Sequence, residues 1–261
     1  MLVLLSPAKN LNFDPVPAAP AATKPALLKE AAALAGTAKT LTPAKIGKLM
    51  GVSAKLAELN YARFQAFRAD NKGETKQAAL AFNGDVYLGL NAKTMSKDDF
   101  AFAQEHLRIL SGLYGLLRPL DAIQPYRLEM GSALTNARGK DLYAYWGDVL
   151  ATEIDKTVNG HDDPTIVNLA SHEYFNAVDA KALKAPVVAA SFLDEKGGKL
   201  RSLQFFAKKA RGWMARWIID NRVDRRADLK NFKAEGYAYR AGASTETHLV
   251  FTRPQPPLKA V

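Results

Sequence analysis

Basic side chains are concentrated in one part of the chain. Residues 196–233 contain 12 basic and 3 acidic residues, in a protein whose net charge is +10. A helix predicted over residues 206–221 carries Lys208, Lys209, Arg211 and Arg216 on one face and two tryptophans on the other. Cations on one rigid helix are the groups that bind nucleic-acid phosphates. A solvated basic face and a membrane-surface helix are the alternatives, and the tryptophan stripe favours core packing over a membrane.

Amines and carboxylates elsewhere in the chain could perform nucleophilic or acid–base chemistry. Lys9 or Lys208, if buried beside other cations, could attack a carbonyl carbon or an abasic sugar. Glu129 or Glu173 could then act as the acid or the base. The alternative, which we favour, is that these lysines neutralise phosphates. Whether the protein is an enzyme is left open by the sequence.

The segment 106–131 combines apolar residues, a pair of glycines three residues apart and a basic exit. Leucines at helical spacing predict a helix that breaks at Gly112, Leu113, Tyr114 and Gly115 and then resumes. A glycine hairpin between two helices exposes backbone N–H groups that bind phosphate, as helix-hairpin-helix elements do. Arg118 and Arg127 follow the hairpin as further cations. A helix–turn with Leu113 in the core is the alternative.

The elements that must position these residues alternate along the chain. Apolar runs predict strands at residues 2–5, 165–169 and 187–193. Turn signals predict one hairpin at 187–206, with its return strand at 200–206, and another at 236–253. Helices are predicted at residues 26–38, at 49–67 and after Ser96. This order predicts an α/β fold of mixed α+β character. We expect one compact domain over residues 1–261, with a mixed central sheet wrapped by helices and a Pro-rich tail from about residue 254.

Composition excludes several classes of function. The chain has no cysteine and four histidines, and the histidines show no metal-binding spacing, so we expect no metal site and no cofactor. No targeting segment or membrane-length apolar run is evident. We therefore expect a cytoplasmic protein without membrane association or an obligate protein partner. A pI near 9.6 favours polyanionic partners.

A set of motifs in register resembles the YaaA family of bacterial peroxide-stress-resistance proteins. The motifs are LVLLSPAK from residue 2, AFNGDVYLG from 81, LSGLYGLLRP from 110, PYRLEMG from 125, VNLASHEYF from 167, FLDEK from 192 and AKKARG from 207. The chain departs from the family pattern at Asn83, where lysine is common, and at His172, where an acidic residue is expected.

The resemblance implies protection against hydrogen peroxide by limiting the damage that iron and peroxide cause. It also implies a family-specific α/β fold with a helix-hairpin-helix-like element at residues 110–119, a positively charged cleft and double-stranded DNA binding. By motif, the cleft cations are Lys9, Arg118, Arg127, Lys208, Lys209 and Arg211.

Three hypotheses of function follow. The first is a peroxide-stress protein that binds double-stranded DNA through a basic cleft and the hairpin element. The second is a lysine-dependent enzyme, lyase- or glycosylase-like, acting on damaged DNA or on another anionic substrate. The third, direct iron sequestration, is the weakest because the chain lacks paired carboxylate–histidine helices.

Overall fold

The computed structural model describes residues 1–179 and 181–256. Its strands are β1 (Leu2–Leu5), β2 (Asn10–Leu11), β3 (Lys76–Gln77), β4 (Phe82–Asn83), β5 (Leu107–Ser111), β6 (Gly115–Leu117), β7 (Ala122–Ile123), β8 (Ile166–Asn168), β9 (Val187–Lys196), β10 (Lys199–Arg201), β11 (Ala238–Tyr239) and β12 (His248–Pro254). The Pro-rich tail predicted from about residue 254 therefore starts within β12, and residues 257–261 lie outside the described residues.

The helices alternate with these strands and surround the sheet. They are α1 (Leu28–Lys39), α2 (Pro43–Met50), α3 (Ala54–Ala66), α4 (Ala78–Ala81), α5 (Asp85–Leu90), α6 (Lys97–His106), α7 (Leu142–Trp146), α8 (Val149–Val158), α9 (His172–Phe175) and α10 (Gln204–Asp220). Two of their starts follow sequence signals: Thr42 caps α2, and Ser96 forms a capping box with Asp99.

The main sheet is mixed, as the sequence predicts. Its strand order is β11-β12-β9-β8-β1-β5-β6, and β10 pairs with β9. The neighbours from β12 to β5 are parallel, whereas β6, β10 and β11 pair antiparallel. All four residues of β1 are buried, which is typical of a parallel strand covered on both faces. The predicted α/β class with a mixed central sheet is thus confirmed.

Strand β1 lies where the direction of winding reverses. The chain passes from β1 to β5 on one side of it and later returns to β8 on the other side. The parallel strands therefore follow the order 2-1-3-4-5, known from doubly wound α/β proteins, with the switch point between β1 and β8. Ligands of such proteins bind beyond the carboxyl ends of the strands at this point.

The segment 107–117 is a β-hairpin, so the predicted helix-hairpin-helix is wrong. Strand β5 pairs with β1 on one edge and with β6 on the other. Helical leucine spacing misled the prediction because an apolar run buried on all sides carries no decisive periodicity. Gly115 adopts a left-handed φ of 68° and lies against the Trp146 ring. The Trp146 indole N–H donates to the carbonyl oxygen of Gly112 at 3.1 Å.

Two further predictions needed correction. The helix expected over residues 49–67 is interrupted at Gly51, whose left-handed φ of 60° ends α2 before α3 begins. The strand expected at residues 200–206 is short: β10 ends at Arg201, and α10 starts at Gln204. The helix predicted at 206–221 is confirmed as α10.

Candidate functional site

A cleft of about 390 Å³ opens beyond the carboxyl ends of β1 and β8. We call it the carboxyl-edge cleft. It is lined by loop residues that follow the two strands, by the start of α5 and by the first half of α10. It therefore lies at the switch point of the sheet, the position at which α/β proteins bind ligands.

Hydrogen bonds from Ser6 hold the floor of the cleft together. Ser6 directly follows β1, and its Oγ accepts a hydrogen bond from the Ser171 N–H at 2.8 Å. The Tyr87 hydroxyl of α5 donates to the Ser6 carbonyl oxygen at 3.0 Å. Burial raises the pKa of Tyr87 well above its usual value, so this hydroxyl remains a donor. The loops after β1 and β8 and helix α5 are thus fixed to one another.

The four residues proposed from sequence for acid–base or amine chemistry meet in this cleft. Lys9, Glu129, Glu173 and Lys208 all line it, although they are far apart in sequence. The Lys9 ammonium lies 3.6 Å from Glu129 Oε1, and its side chain is 67% exposed. Glu173 Oε1 accepts the Gly131 N–H at 3.0 Å. The arrangement supplies cations for an anionic ligand and carboxylates for proton transfer.

Arg127 lies behind Glu129 and not in the cleft. Its Nη2 is 2.8 Å from Glu129 Oε1, and both side chains are largely buried. Among the described residues, Glu129 Oε2 is buried and has no hydrogen-bond partner. Arg127 therefore positions Glu129, and it is not a free cation for DNA as the sequence predicted.

The basic helix α10 divides its cations between the cleft and the fold. Lys208 and Arg211, three residues apart, line the cleft. Lys209 lies 5.1 Å above the Trp213 ring instead. Arg216 is structural: it pairs with Asp220 at 2.6 Å and donates to the backbone at the end of α5. The predicted cationic face is thus only partly available to a ligand.

Arg118 lies in a different groove. Its Nη2 is 2.9 Å from Asp121 Oδ1, a carboxylate that is almost fully buried. That groove is lined by Arg108 and Glu153 among others and shares no residue with the carboxyl-edge cleft. Arg118 therefore does not join the cleft cations, contrary to the sequence prediction.

The glycine hairpin is part of the core. Gly112, Leu113, Tyr114 and Gly115 are all buried, and Leu113 and Tyr114 have no exposed surface. The Tyr114 hydroxyl accepts the Gln124 N–H at 2.9 Å. A hairpin tip without solvent contact cannot reach a phosphate, so we leave these four residues out of the site.

Sequence reasoning missed Asp85, which also lines the cleft. It is the first residue of α5 and directly follows Gly84. An acidic residue after glycine, in the first turn of a helix, was the available signal.

A larger groove lies elsewhere on the surface. It has a volume of about 510 Å³ and is lined mainly by apolar residues, including Phe13, Leu59 and Phe67. Its charged lining residues are Arg63 and Glu74. We place the candidate site in the smaller cleft because the charged residues converge there at the switch point.

The described residues show neither a cluster of metal-ligating side chains nor a helix able to cross a membrane. Groups of three or more His, Cys, Asp or Glu that could hold a metal ion are absent from residues 1–179 and 181–256. Within the same residues, every helix is too short or too polar to span a bilayer.

The sheet and its cleft define an α/β protein with a charged ligand site at the switch point. A sequence profile described as peroxide stress protein YaaA matches residues 1–243. The chain belongs to this family, as its motifs predict, and membership supports a role in peroxide stress.

Close relatives are known from several bacteria. A UPF0246 protein of Maricaulis maris is 56% identical over 256 residues, which cover 98% of this chain and 97% of the relative. One of Caulobacter vibrioides is 53% identical over 98% of this chain and 100% of its own length. One of Ralstonia nicotianae is 51% identical over 97% of this chain and 99% of its own.

Proposed function

We propose that this protein acts in peroxide stress by binding double-stranded DNA at the carboxyl-edge cleft. One observation carries the proposal: Lys9, Lys208 and Arg211 come from two distant parts of the chain and line one cleft. Lys209, next to Lys208 on α10, adds a positive charge near the cleft although it does not line it. These side chains neutralise backbone phosphates, and the β-hairpin formed by β5 and β6 takes no part in binding. We propose that the protein acts in the cytoplasm.

Salt dependence tests the proposal directly. Fluorescence anisotropy measures the association constant for a labelled duplex. The logarithm of this constant should fall linearly with the logarithm of the salt concentration. The triple variant Lys9→Gln, Lys208→Gln, Lys209→Gln should weaken binding and reduce the salt slope by about 2 to 3. Binding that is independent of salt, or unchanged in this variant, would contradict the proposal.

A matched control variant removes the same number of positive charges from another surface of the protein. Lys45, Lys48 and Lys55 are exposed on α2 and α3, and none of them lines the cleft. Their triple change to Gln should leave affinity and salt slope close to those of the unmodified protein. An equal effect of both triple variants would show non-specific attraction by net charge instead of binding at the cleft.

A second function, an amine-dependent reaction on damaged DNA or another anionic substrate, is favoured by one observation. Lys9, Lys208, Glu129 and Glu173 share the cleft, which brings amines and carboxylates together. The exposure of Lys9, however, is not the buried environment that activates a lysine amine. Borohydride trapping with abasic DNA tests this function: a covalent adduct lost in Lys9→Arg or Lys208→Arg supports it, and no adduct argues against it.

A further inference from the structure

Arg211 is a guanidinium without a protein partner in the wall of the cleft. Within residues 1–179 and 181–256, it has no ion pair and no hydrogen bond. Burial between α10 and its neighbours lowers the pKa of Arg211 below its usual value. Arg216, five residues further along the same helix, is by contrast held by Asp220 and by backbone carbonyls.

A partly buried cation without a protein partner weakens the folded state, and a bound anion would offset that cost. Arg211 lines the cleft, so an anion can reach it. Lys208 lies three residues before it on α10, and Lys9 lines the same cleft with its ammonium 3.6 Å from Glu129 Oε1. Three cations lining one cleft match a doubly charged group better than a single carboxylate does.

The remaining walls indicate what else the ligand carries. Asp85 and Glu173 line the same cleft, and the Asp85 carboxylate accepts no hydrogen bond from the described residues. Carboxylates accept hydrogen bonds from hydroxyl groups but repel phosphates. A terminal phosphate attached to a hydroxyl-bearing body would bring its charge to the cations and its hydroxyls to the carboxylates.

We propose that Arg211, with Lys208 and Lys9, binds the terminal phosphate of a phosphomonoester whose sugar hydroxyls face Asp85 and Glu173. A volume of about 390 Å³ lies within the range of small-molecule sites. The phosphomonoester can be a free sugar phosphate or the phosphorylated end of a broken DNA strand. The second source rests on the proposed DNA binding, whereas the first does not.

One arm of the test uses a free ligand. Ribose 5-phosphate and ribose are titrated into the full-length protein by calorimetry. Only the phosphorylated sugar should bind, and Arg211→Gln should weaken its affinity about tenfold or more. Arg201→Gln is the matched control because Arg201 is exposed on β10, outside the cleft. This control should leave the affinity unchanged.

The other arm uses DNA hairpins that differ only in a phosphate or a hydroxyl at the free 5′ or 3′ end. A phosphorylated end should bind about tenfold more tightly than the hydroxyl end, and Arg211→Gln should abolish the difference. Arg211→Lys keeps the charge but loses the planar fork, so it should retain part of the preference. Circular dichroism establishes whether each variant is folded. If Arg211→Gln unfolds, the unmodified protein still tests the proposal through its affinities for the phosphate end and the hydroxyl end.

The outcomes separate the two proposals. Preference for phosphate in either arm, lost in Arg211→Gln, supports the inference and identifies the source of the phosphate. No preference in either arm, or a preference that persists in Arg211→Gln, overturns it. Binding of the hydroxyl-ended hairpin tests DNA binding alone: if it is absent while ribose 5-phosphate binds, the DNA proposal fails and the phosphate site stands.

Discussion

Gly89 of α5 lies directly against Gly212 of α10. A Cβ atom added to Gly89 would overlap the Lys209 carbonyl oxygen and lie 3.0 Å from the Gly212 Cα, and one added to Gly212 would overlap the Val86 carbonyl oxygen. The two backbones are therefore in contact. This close approach fixes α10, which carries Arg211, relative to α5, which carries Asp85, and both helices line the cleft.

We predict that Gly89→Ala and Gly212→Ala each lower the free energy of unfolding by about 1 to 3 kcal/mol, because the helices must separate. Urea unfolding measures this. Gly36 in α1 is the control, since a Cβ there meets nothing within 4 Å. Gly36→Ala should instead raise the free energy by about 0.5 to 1 kcal/mol. A Gly212→Ala protein as stable as the original would show that the helix contact is not tight.

The buried pair of Asp194 and Arg253 should be essential for stability. Arg253 Nε donates to Asp194 Oδ1 at 2.7 Å, and the two side chains are 6% and 0% exposed. The guanidinium also lies over the rings of Phe206 on α10 and Tyr237. Asp194→Asn leaves this cation uncompensated, so we expect a loss of about 3 to 5 kcal/mol in chemical denaturation.

The neighbouring residue on β9 provides the control for that change. Glu195 pairs with Arg240 at 3.2 Å, and both side chains are more than 40% exposed. Because exposed pairs contribute little, Glu195→Gln should change the free energy of unfolding by less than about 1 kcal/mol. Equal losses from Asp194→Asn and Glu195→Gln would contradict the distinction between the buried and the exposed pair.

The low pKa of His161 predicts that the free energy of unfolding decreases in acid. Burial, then the α-amino group of Met1, then His106 lower the pKa of His161 from 6.5 to about 4. Between these two values the unfolded chain binds the proton and the folded chain does not, so stability rises with pH. The contribution of His161 is complete above about pH 6.5 and is lost as the pH falls towards about 4.

The variant His161→Asn removes this titration. Its free energy of unfolding should change less between about pH 7.5 and about pH 5 than that of the unmodified protein. Burial also lowers the pKa of His106, whose ring lies 4.6 Å from that of His161, so part of the dependence should persist. His172→Asn, at an exposed position of α9, is the control. An identical pH dependence of His161→Asn and the unmodified protein would refute the prediction.

Sequence patterns predicted the sheet well where strands are isolated apolar runs between turn signals. Leu2–Leu5 and the strand that begins at Val187 were found for this reason. Strand β5 was missed because it follows α6 without a break. An apolar run of this kind satisfies helical and extended patterns equally, and only its pairing with β1 decides the outcome.

Part of the candidate site could be predicted from the order of strands and loops along the chain. Lys9 and Glu173 follow buried strands, and parallel strands bring their carboxyl ends to one edge. The helical pattern identifies the cations of α10. It does not show which of them line the cleft and which are paired with other residues of the protein. Whether Arg211 faces the cleft, or Arg216 holds the end of α5, depends on how α10 crosses α5. That crossing is set by Gly89 and Gly212, which lie more than a hundred residues apart.

The central position of β1 affects how the protein is made. Val3 pairs with Leu107 and with Val167, so β1 is synthesised long before either neighbour. At ribosomal speeds of about 5 to 20 residues per second, β1 waits about 8 to 30 s for β8. For that interval an apolar strand has at least one unpaired edge. The nascent chain is therefore most prone to aggregation before β8 emerges, and chaperone binding during synthesis should matter most in that interval.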